Sequence, residues 1–247
     1  MKSIIISDLH LSPGRPAVTR AFNQFLESFP EDIGELFILG DLFEVWLGDD
    51  DSSIFAQAII ESIRRLSKSG VRTYFQAGNR DFLVGKGFAK EAGCSILPDF
   101  SVHLIRGHKV LLTHGDLLCI DDVPYQRFRK FIQFPLTIWL LTHLPISIRQ
   151  KIAKKSRSAS AEKVHNKPEN IMDVNQEEVI RRLREFNTKT LIHGHTHRPA
   201  VHNIELDDET SKRFTLGDWG DDLWWLEIDE QCIELKSTPL SQPVTWQ

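Results

Sequence analysis

Cysteine is scarce in this chain, and its scarcity excludes one class of protein. The 247 residues include only Cys94, Cys119 and Cys232, an odd number without paired spacing. This pattern argues against a disulfide framework and favours small buried side chains in a reducing compartment. Internal repeats and low-complexity segments are also lacking. The composition therefore predicts an ordinary globular protein that can bury a substantial core, either as a single domain with an insertion or as two domains.

Long apolar runs are lacking as well. Three isoleucines precede Ser7 and Asp8, which is too short a run for the apolar core of a secretory signal, so we expect a cytoplasmic protein. The most apolar later stretch is broken by Pro135 and Pro145. A membrane-spanning helix needs about 20 consecutive apolar residues. The sequence therefore argues against a spanning helix.

Acidic residues are almost absent from one segment. From Arg127 to Lys167 there are ten lysines and arginines and one acid, Glu162, whereas the rest of the chain has 20 basic and 33 acidic residues. Basic residues on both sides of an apolar run are typical of helices at a membrane interface. We expect residues 121–170 to form a cap of short amphipathic helices that contacts a membrane. A buried helical hairpin is the alternative.

Strand-like and helix-like patterns alternate over the first 80 residues. The apolar run before Ser7, Glu35 to Leu39 and Val71 to Gln76 are predicted strands, and helical periods lie between them. This alternation predicts an α/β fold with parallel strands. A predicted hairpin over Ser101 to Thr113 should begin a second sheet, which the alternating segments after residue 200 should complete.

Each of five apolar runs is followed by residue types that commonly bind metals. These motifs are Asp8-Leu9-His10, Gly40-Asp41, Gly78-Asn79, His114-Gly115 and Gly194-His195-Thr196-His197. Ligands bind beyond the carboxyl ends of parallel strands, so the side chains should meet there. Two carboxylates, an amide oxygen and four imidazoles suit two divalent first-row metals, with Asp41 as the natural bridge. Two such ions activate water and bind phosphoryl oxygens, which predicts a hydrolase of phosphate esters or anhydrides.

In this order the motifs resemble those of calcineurin-like metallophosphoesterases, from residue 8 to residue 197. The resemblance implies a sandwich of two mixed β-sheets flanked by helices, with a core of residues 1–120 and 171–247 and a helical cap of residues 121–170. It implies two Mn²⁺ or similar ions per chain. The implied ligands of the first ion are Asp8, His10, Asp41 and His197, and those of the second are Asp41, Asn79, His114 and His195.

Arg80 stands where this family usually has a histidine that serves as the general acid. Arginine does not donate a proton at neutral pH. An alkoxide leaving group needs such an acid, whereas a phosphate, with a second pKa of about 6, departs without one. Arg80 therefore favours a phosphoanhydride substrate, whose phosphates it would bind through two parallel hydrogen bonds. The expected catalytic residues are Asp41, Asn79, Arg80 and His114.

Three further stretches narrow the resemblance to the branch of the family that acts on UDP-2,3-diacylglucosamine. They are residues 40–50, the run Gly78-Asn79-Arg80-Asp81-Phe82, and residues 195–200. This branch implies that water attacks the α-phosphorus and gives UMP and 2,3-diacylglucosamine 1-phosphate, in lipid A biosynthesis at the cytoplasmic side of the inner membrane. The implied substrate contacts are Asn79, Arg80, Asp122, Tyr125, Ser160, Lys167 and His195.

The cap would then bind the acyl chains and contact the anionic membrane surface. We therefore expect a peripheral membrane protein. We also expect it to be a monomer and to have no nucleic-acid partner. Two alternatives remain from the sequence. One is a manganese-dependent phosphodiesterase or phosphatase of the same fold, and the other is a noncatalytic membrane-associated scaffold.

Overall fold

The computed structural model describes residues 1–164, 173–206 and 209–246, and within them two β-sheets pack face to face between layers of helices. The expected α/β sandwich of two mixed sheets is confirmed. In chain order the elements are β1 (Lys2–Ile6), α1 (Pro16–Glu27), β2 (Ile33–Leu39), α2 (Ile54–Lys68), β3 (Arg72–Gln76), α3 (Lys86–Ala92), β4 (Cys94–Leu97), β5 (Ser101–Ile105), β6 (His108–Leu112), α4 (Val123–Ile132), α5 (Pro135–His143), α6 (Ile146–Val164), α7 (Gln176–Glu185), β7 (Thr190–His193), β8 (Ala200–Leu206), β9 (Glu209–Thr215), β10 (Asp222–Ile228) and β11 (Ile233–Pro239).

The first sheet has the strand order β11-β10-β1-β2-β3-β4, and β1, β2 and β3 are parallel as predicted. A fourth parallel strand, β4, pairs with β3 and was not predicted. The prediction that all late segments complete the second sheet is wrong for β10 and β11, because β10 pairs antiparallel with β1 and β11 with β10. β10 is apolar on both faces: Trp225 packs on the helix side and Leu226 between the sheets. Such a strand belongs inside a sheet, and it covers the edge of β1.

The second sheet has the order β5-β6-β7-β9-β8. The predicted hairpin is present as antiparallel β5 and β6. β7 lies parallel to both β6 and β9, while β8 pairs antiparallel with β9. β6 and β7 therefore end at the same edge of this sheet. The loops that carry the later motifs begin there, with His114 two residues after β6 and Gly194 directly after β7.

Strand alternation divides the buried side chains into three apolar layers. Ile4 and Ile6 of β1 pack against α1 and α2, whereas Ile5 faces Val110 of β6 between the sheets. On the far side of the second sheet, α7 covers β6 and β7, with Leu183 among the buried contacts. Because one residue of register would exchange these layers, the apolar pattern sets which strand ends lie together.

Helices α4, α5 and α6 lie between β6 and β7 in the chain and carry many exposed apolar side chains. None of the residues of α4 or α5 is buried, so the alternative of a buried helical hairpin is wrong for them. Phe131 is 67% exposed and Trp139 is 54% exposed. Among the described residues, no helix combines the length and apolarity that crossing a membrane requires. These three helices are called the cap helices below.

Candidate active site

The motif residues lie just beyond five strand ends and are connected by backbone hydrogen bonds. Asp8 N–H donates to Gly40 O at 3.1 Å, which joins the loops after β1 and β2. His195 N–H donates to Asp8 Oδ2 at 2.8 Å, which joins the second sheet to the first. Gly194 permits that approach, since a Cβ there would collide with Asp8 Oδ2 and Ser7 Oγ. Residues far apart in sequence are thereby fixed side by side.

The backbone of these motifs adopts an uncommon conformation. Seven non-glycine residues of the described chain have positive φ, and five of them are predicted metal ligands. These five are Asp8, His10, Asp41, His195 and His197. A non-glycine residue with positive φ is disfavoured and persists only where the surroundings hold it, and such residues concentrate at functional sites. The same five residues therefore combine a disfavoured backbone conformation with side chains that could bind a metal.

The first group of possible ligands contains Asp8, His10 and His197, whose ligand atoms all lie within 4.8 Å of one another. His10 Nε2 and His197 Nε2 are 3.3 Å apart. Asp8 Oδ1 lies 3.4 Å from His197 Nε2, and Asp41 Oδ2 lies 4.0 Å from His10 Nε2. The structure therefore brings together all four side chains predicted for the first metal.

The second group contains Asp8, Asp41 and His114, again within 4.8 Å. Asp41 Oδ1 lies 3.7 Å from His114 Nε2. Asn79 Oδ1 lies 3.0 Å from His114 Nε2 and 3.0 Å from His195 Nδ1. The two oxygens of Asp41 thus approach a histidine of each group, which is the arrangement a bridging carboxylate needs.

A carbonyl oxygen behind the His114 imidazole holds that ring so that Nε2 faces the centre, and a carboxylate lies near the outer nitrogen of His10. His114 Nδ1 lies 2.8 Å from Leu39 O, and His10 Nδ1 lies 3.3 Å from Glu44 Oε2. An acceptor behind a histidine fixes both its orientation and its tautomer, as is common for histidines that bind metals.

Besides the types of ligand atom, two observations indicate that these residues suit divalent cations. Asp8 Oδ1 is buried and has no hydrogen-bond partner among the described residues. Burial opposes a charge on His114, but the carboxylates of Asp41 and Asp8 outweigh it and raise the His114 pKa to about 9. Burial and the neighbouring His114 lower the pKa of His195 to about 4. At His114 the two carboxylates therefore favour positive charge.

Asp81 is a functional residue that the motif pattern indicated only as part of a loop. It is fully buried, and its carboxylate accepts N–H groups of Gly78 at 2.7 Å, Asp41 at 3.2 Å and Leu42 at 2.9 Å. Burial and the Asp41 charge raise the pKa of Asp81 to about 7. Asp81 connects the loops after β2 and β3 through their backbones. Its position directly after Asn79 and Arg80 was the available signal.

Arg80 lies in the loop after β3 and contacts the loop after β2. Its N–H donates to Asp41 Oδ1 at 2.8 Å, and its carbonyl oxygen accepts the N–H of Trp46 at 3.2 Å. Its side-chain Nε is buried and has no hydrogen-bond partner among the described residues. The main chain of Arg80 is therefore fixed beside the predicted metal ligands, while its guanidinium has unused donors.

The remaining predicted substrate contacts are placed unequally. Asp122 caps α4 by accepting the N–H of Tyr125 at 3.2 Å. The Tyr125 ring lies 6.1 Å from the His195 ring, centroid to centroid, and its hydroxyl donates to buried Asp116 at 2.7 Å. Asp116 also accepts from Arg129, so α4 is attached here. Ser160 lies in α6, but its side chain is not among those that the structure describes. Lys167 lies outside the described residues.

Fold and site together define a metal-dependent phosphoesterase, and comparison with known families agrees. A family model described as Calcineurin-like phosphoesterase matches residues 1–199. The chain therefore belongs to the calcineurin-like phosphoesterase family and is a hydrolase. Among solved structures, that of an archaeal phosphodiesterase matches 97% of this chain and 99% of its own, with 16% identity and a TM-score of 0.50, which shows similarity of fold alone.

Two curated relatives are similar over nearly their full lengths. A Pseudomonas syringae pv. tomato protein named UDP-2,3-diacylglucosamine hydrolase is 47% identical over 234 residues, which cover 95% of this chain and 94% of the relative. A Pseudomonas aeruginosa protein of the same name is 48% identical over 229 residues, covering 93% and 95% respectively.

Proposed function

We propose that this hydrolase cleaves the diphosphate of UDP-2,3-diacylglucosamine to UMP and 2,3-diacylglucosamine 1-phosphate in lipid A biosynthesis. The observation that carries the proposal is Arg80, which replaces an imidazole acid by a cation beside Asp41 and Asn79. A site without that acid suits a leaving group that departs as a phosphate. The names of the similar Pseudomonas proteins support the same substrate.

Two divalent ions, manganese by the pattern of the family, would supply a water of lowered pKa and charge stabilisation of the phosphoryl oxygens. The first would be held by Asp8, His10, Asp41 and His197, and the second by Asp41, Asn79, His114 and His195. Glu44 and Leu39 O would keep the rings of His10 and His114 aligned from behind. Asp81 would hold the two loops that present Asp41 and Asn79.

Arg80 would bind the diphosphate through two parallel hydrogen bonds and stabilise the charge that develops on it. The attacking water adds its oxygen to the α-phosphorus and releases its protons to solvent, while the bond from the α-phosphorus to the bridging oxygen breaks. The electron pair stays on the leaving sugar phosphate, which needs no proton to depart. Asp122 and Tyr125 at the start of α4 would lie at the glucosamine end, together with Ser160, Lys167 and His195.

The cap helices support a lipid-linked substrate and a peripheral membrane position. Exposed Phe128, Phe131, Trp139 and Leu140 offer apolar surface for acyl chains and the interface, on a segment rich in lysine and arginine. In this proposal residues 1–120 and 171–247 form the catalytic core, and residues 121–170 form the cap at the cytoplasmic side of the inner membrane.

The proposal is tested by incubating the purified protein with Mn²⁺ and UDP-2,3-diacylglucosamine in ¹⁸O-labelled water. UMP should form and carry the label, because the water oxygen joins the α-phosphorus. Absence of UMP would contradict the substrate, and label in the sugar phosphate would contradict the point of attack. Preferential turnover of an alkyl phosphodiester would favour the alternative phosphodiesterase. An Asp41→Ala variant with undiminished activity would favour a scaffold.

A further inference from the structure

Arg149 of α6 is the one buried residue among the described cap side chains, residues 123–156. It is 3% exposed, although it belongs to the most basic segment of the chain. Long basic side chains on such a segment normally extend into solvent. A buried guanidinium therefore needs strong partners, and these lie about 100 residues earlier in the chain.

The partners of Arg149 lie in the loop between β2 and α2. Its Nη1 donates to Asp50 Oδ1 at 2.7 Å, and its Nη2 donates to Asp50 Oδ2, so the pair has two parallel hydrogen bonds. Nη1 also donates to the carbonyl oxygen of Leu47. Gly48 makes room for this contact, because a Cβ at that position would collide with Arg149 Nη1. The guanidinium thus fills a place shaped for it.

The same loop is fastened to Arg80. The N–H of Trp46, next to Leu47, donates to Arg80 O at 3.2 Å. Asp49, next to Asp50, accepts the N–H of Gly85 at 3.0 Å and the N–H of Gly87 at 2.8 Å. The residues that Arg149 binds are therefore neighbours of the residues that hold the 80–87 segment. One short loop joins the cap to Arg80.

The metal-binding groups themselves do not need this contact. Asp81 and the strand ends already fix Asp41 and Asn79, and α4 has its own attachment at Asp116 through Tyr125 and Arg129. Loss of Arg149 would leave the cap attached at α4 and remove the contact of α6 with the 46–50 loop.

We propose that Arg149 is a positioning residue. By docking the cap on the 46–50 loop, it determines the position of Arg80 relative to a lipid-linked diphosphate. This inference rests on the proposed function for its kinetic consequence. It does not rest on it for its structural consequence. Arg149→Met should therefore loosen the Trp46–Arg80 hydrogen bond whether or not the substrate is correctly identified.

The structural arm measures amide hydrogen exchange in the full-length protein. Arg149→Met should speed exchange of the Trp46 N–H, while the Leu42 N–H, held by Asp81, should stay unchanged. Arg64→Met is the matched control, because Arg64 pairs with Glu61 on the exposed face of α2. Unchanged exchange at Trp46 in Arg149→Met would overturn the proposal, as would the same change in the control.

The kinetic arm measures kcat and KM with UDP-2,3-diacylglucosamine in mixed micelles. A displaced Arg80 should lower kcat of Arg149→Met by about 10- to 100-fold with little change in KM. Arg149→Lys, which keeps the charge but loses the two-pronged geometry, should fall in between. A rise in KM alone would assign Arg149 to cap packing and overturn the coupling. No turnover by the unmodified protein would refute the proposed function and leave the exchange measurement to decide.

Discussion

Asp81 accepts the backbone N–H of Asp41 at 3.2 Å, so a fully buried carboxylate holds the main chain of the residue that faces both ligand groups. This carboxylate also satisfies the N–H groups of Gly78 and Leu42. It is therefore a support for two loops at once. These backbone donors lower the pKa of Asp81, but burial and the charge of Asp41 outweigh them and raise it to about 7.

Replacing Asp81 with alanine should reduce the stability of the whole protein. Several buried N–H groups would lose their acceptor, and each unsatisfied group costs about 1–3 kcal/mol. We expect the free energy of unfolding in urea to fall by about 3 kcal/mol or more. Asp221→Ala, at an exposed position, is the control and should change it by less than about 0.5 kcal/mol. Equal stability of the two variants would contradict the role of Asp81.

Removal of divalent metal should lower both activity and melting temperature. A ligand that binds only the folded state adds about 2.7 kcal/mol at a concentration 100 times its Kd. We expect Mn²⁺ to raise Tm of the chelator-treated protein, and His114→Ala to lose most of that shift. His202→Ala, on β8 and outside both ligand groups, should keep it. A shift preserved in His114→Ala would show that Mn²⁺ binds elsewhere.

Arg80→Ala should separate catalysis from metal binding. The guanidinium is expected to act on the diphosphate, and loss of such a group lowers kcat by about 10²- to 10³-fold. Its Mn²⁺-dependent rise in Tm should remain, because Arg80 contributes no predicted ligand. Arg80→His should raise the ratio of phosphodiester to diphosphate turnover by restoring an acid. A variant with normal kcat would remove the main support for the proposed substrate.

The cap helices should bind anionic vesicles in a salt-sensitive way. Each lysine or arginine near the surface contributes about 1 kcal/mol at low salt, and apolar insertion adds to it. Phe131→Ser combined with Trp139→Ser should weaken co-sedimentation with phosphatidylglycerol vesicles. Leu104→Ser is a suitable control, because Leu104 is 76% exposed but lies on β5, outside the cap helices. Equal losses in the control would indicate nonspecific adsorption.

The sequence predicted the strand ends and the grouping of the motif side chains because both depend on local rules. Apolar runs stop where Asp8, Asp41 and Asn79 begin, and parallel strands bring such ends together. The sheet that β10 joins could not be predicted in this way, because the alternation of side chains along a strand is the same in either sheet. The pairing of Arg149 with Asp50 was equally hidden, because it joins residues 99 positions apart and leaves no local pattern.

The layer of Ile5, Phe37 and Val110 between the two sheets has a consequence for the site. Asp8, Asp41 and Asn79 project from one sheet, and His114 and His195 from the other. Bound cations would therefore connect the two sheets at their interface. A cavity in that apolar layer that let the sheets shift would increase the distances between ligands from the two sheets. Metal affinity would therefore measure how closely the two sheets pack, at a distance from the metal ligands.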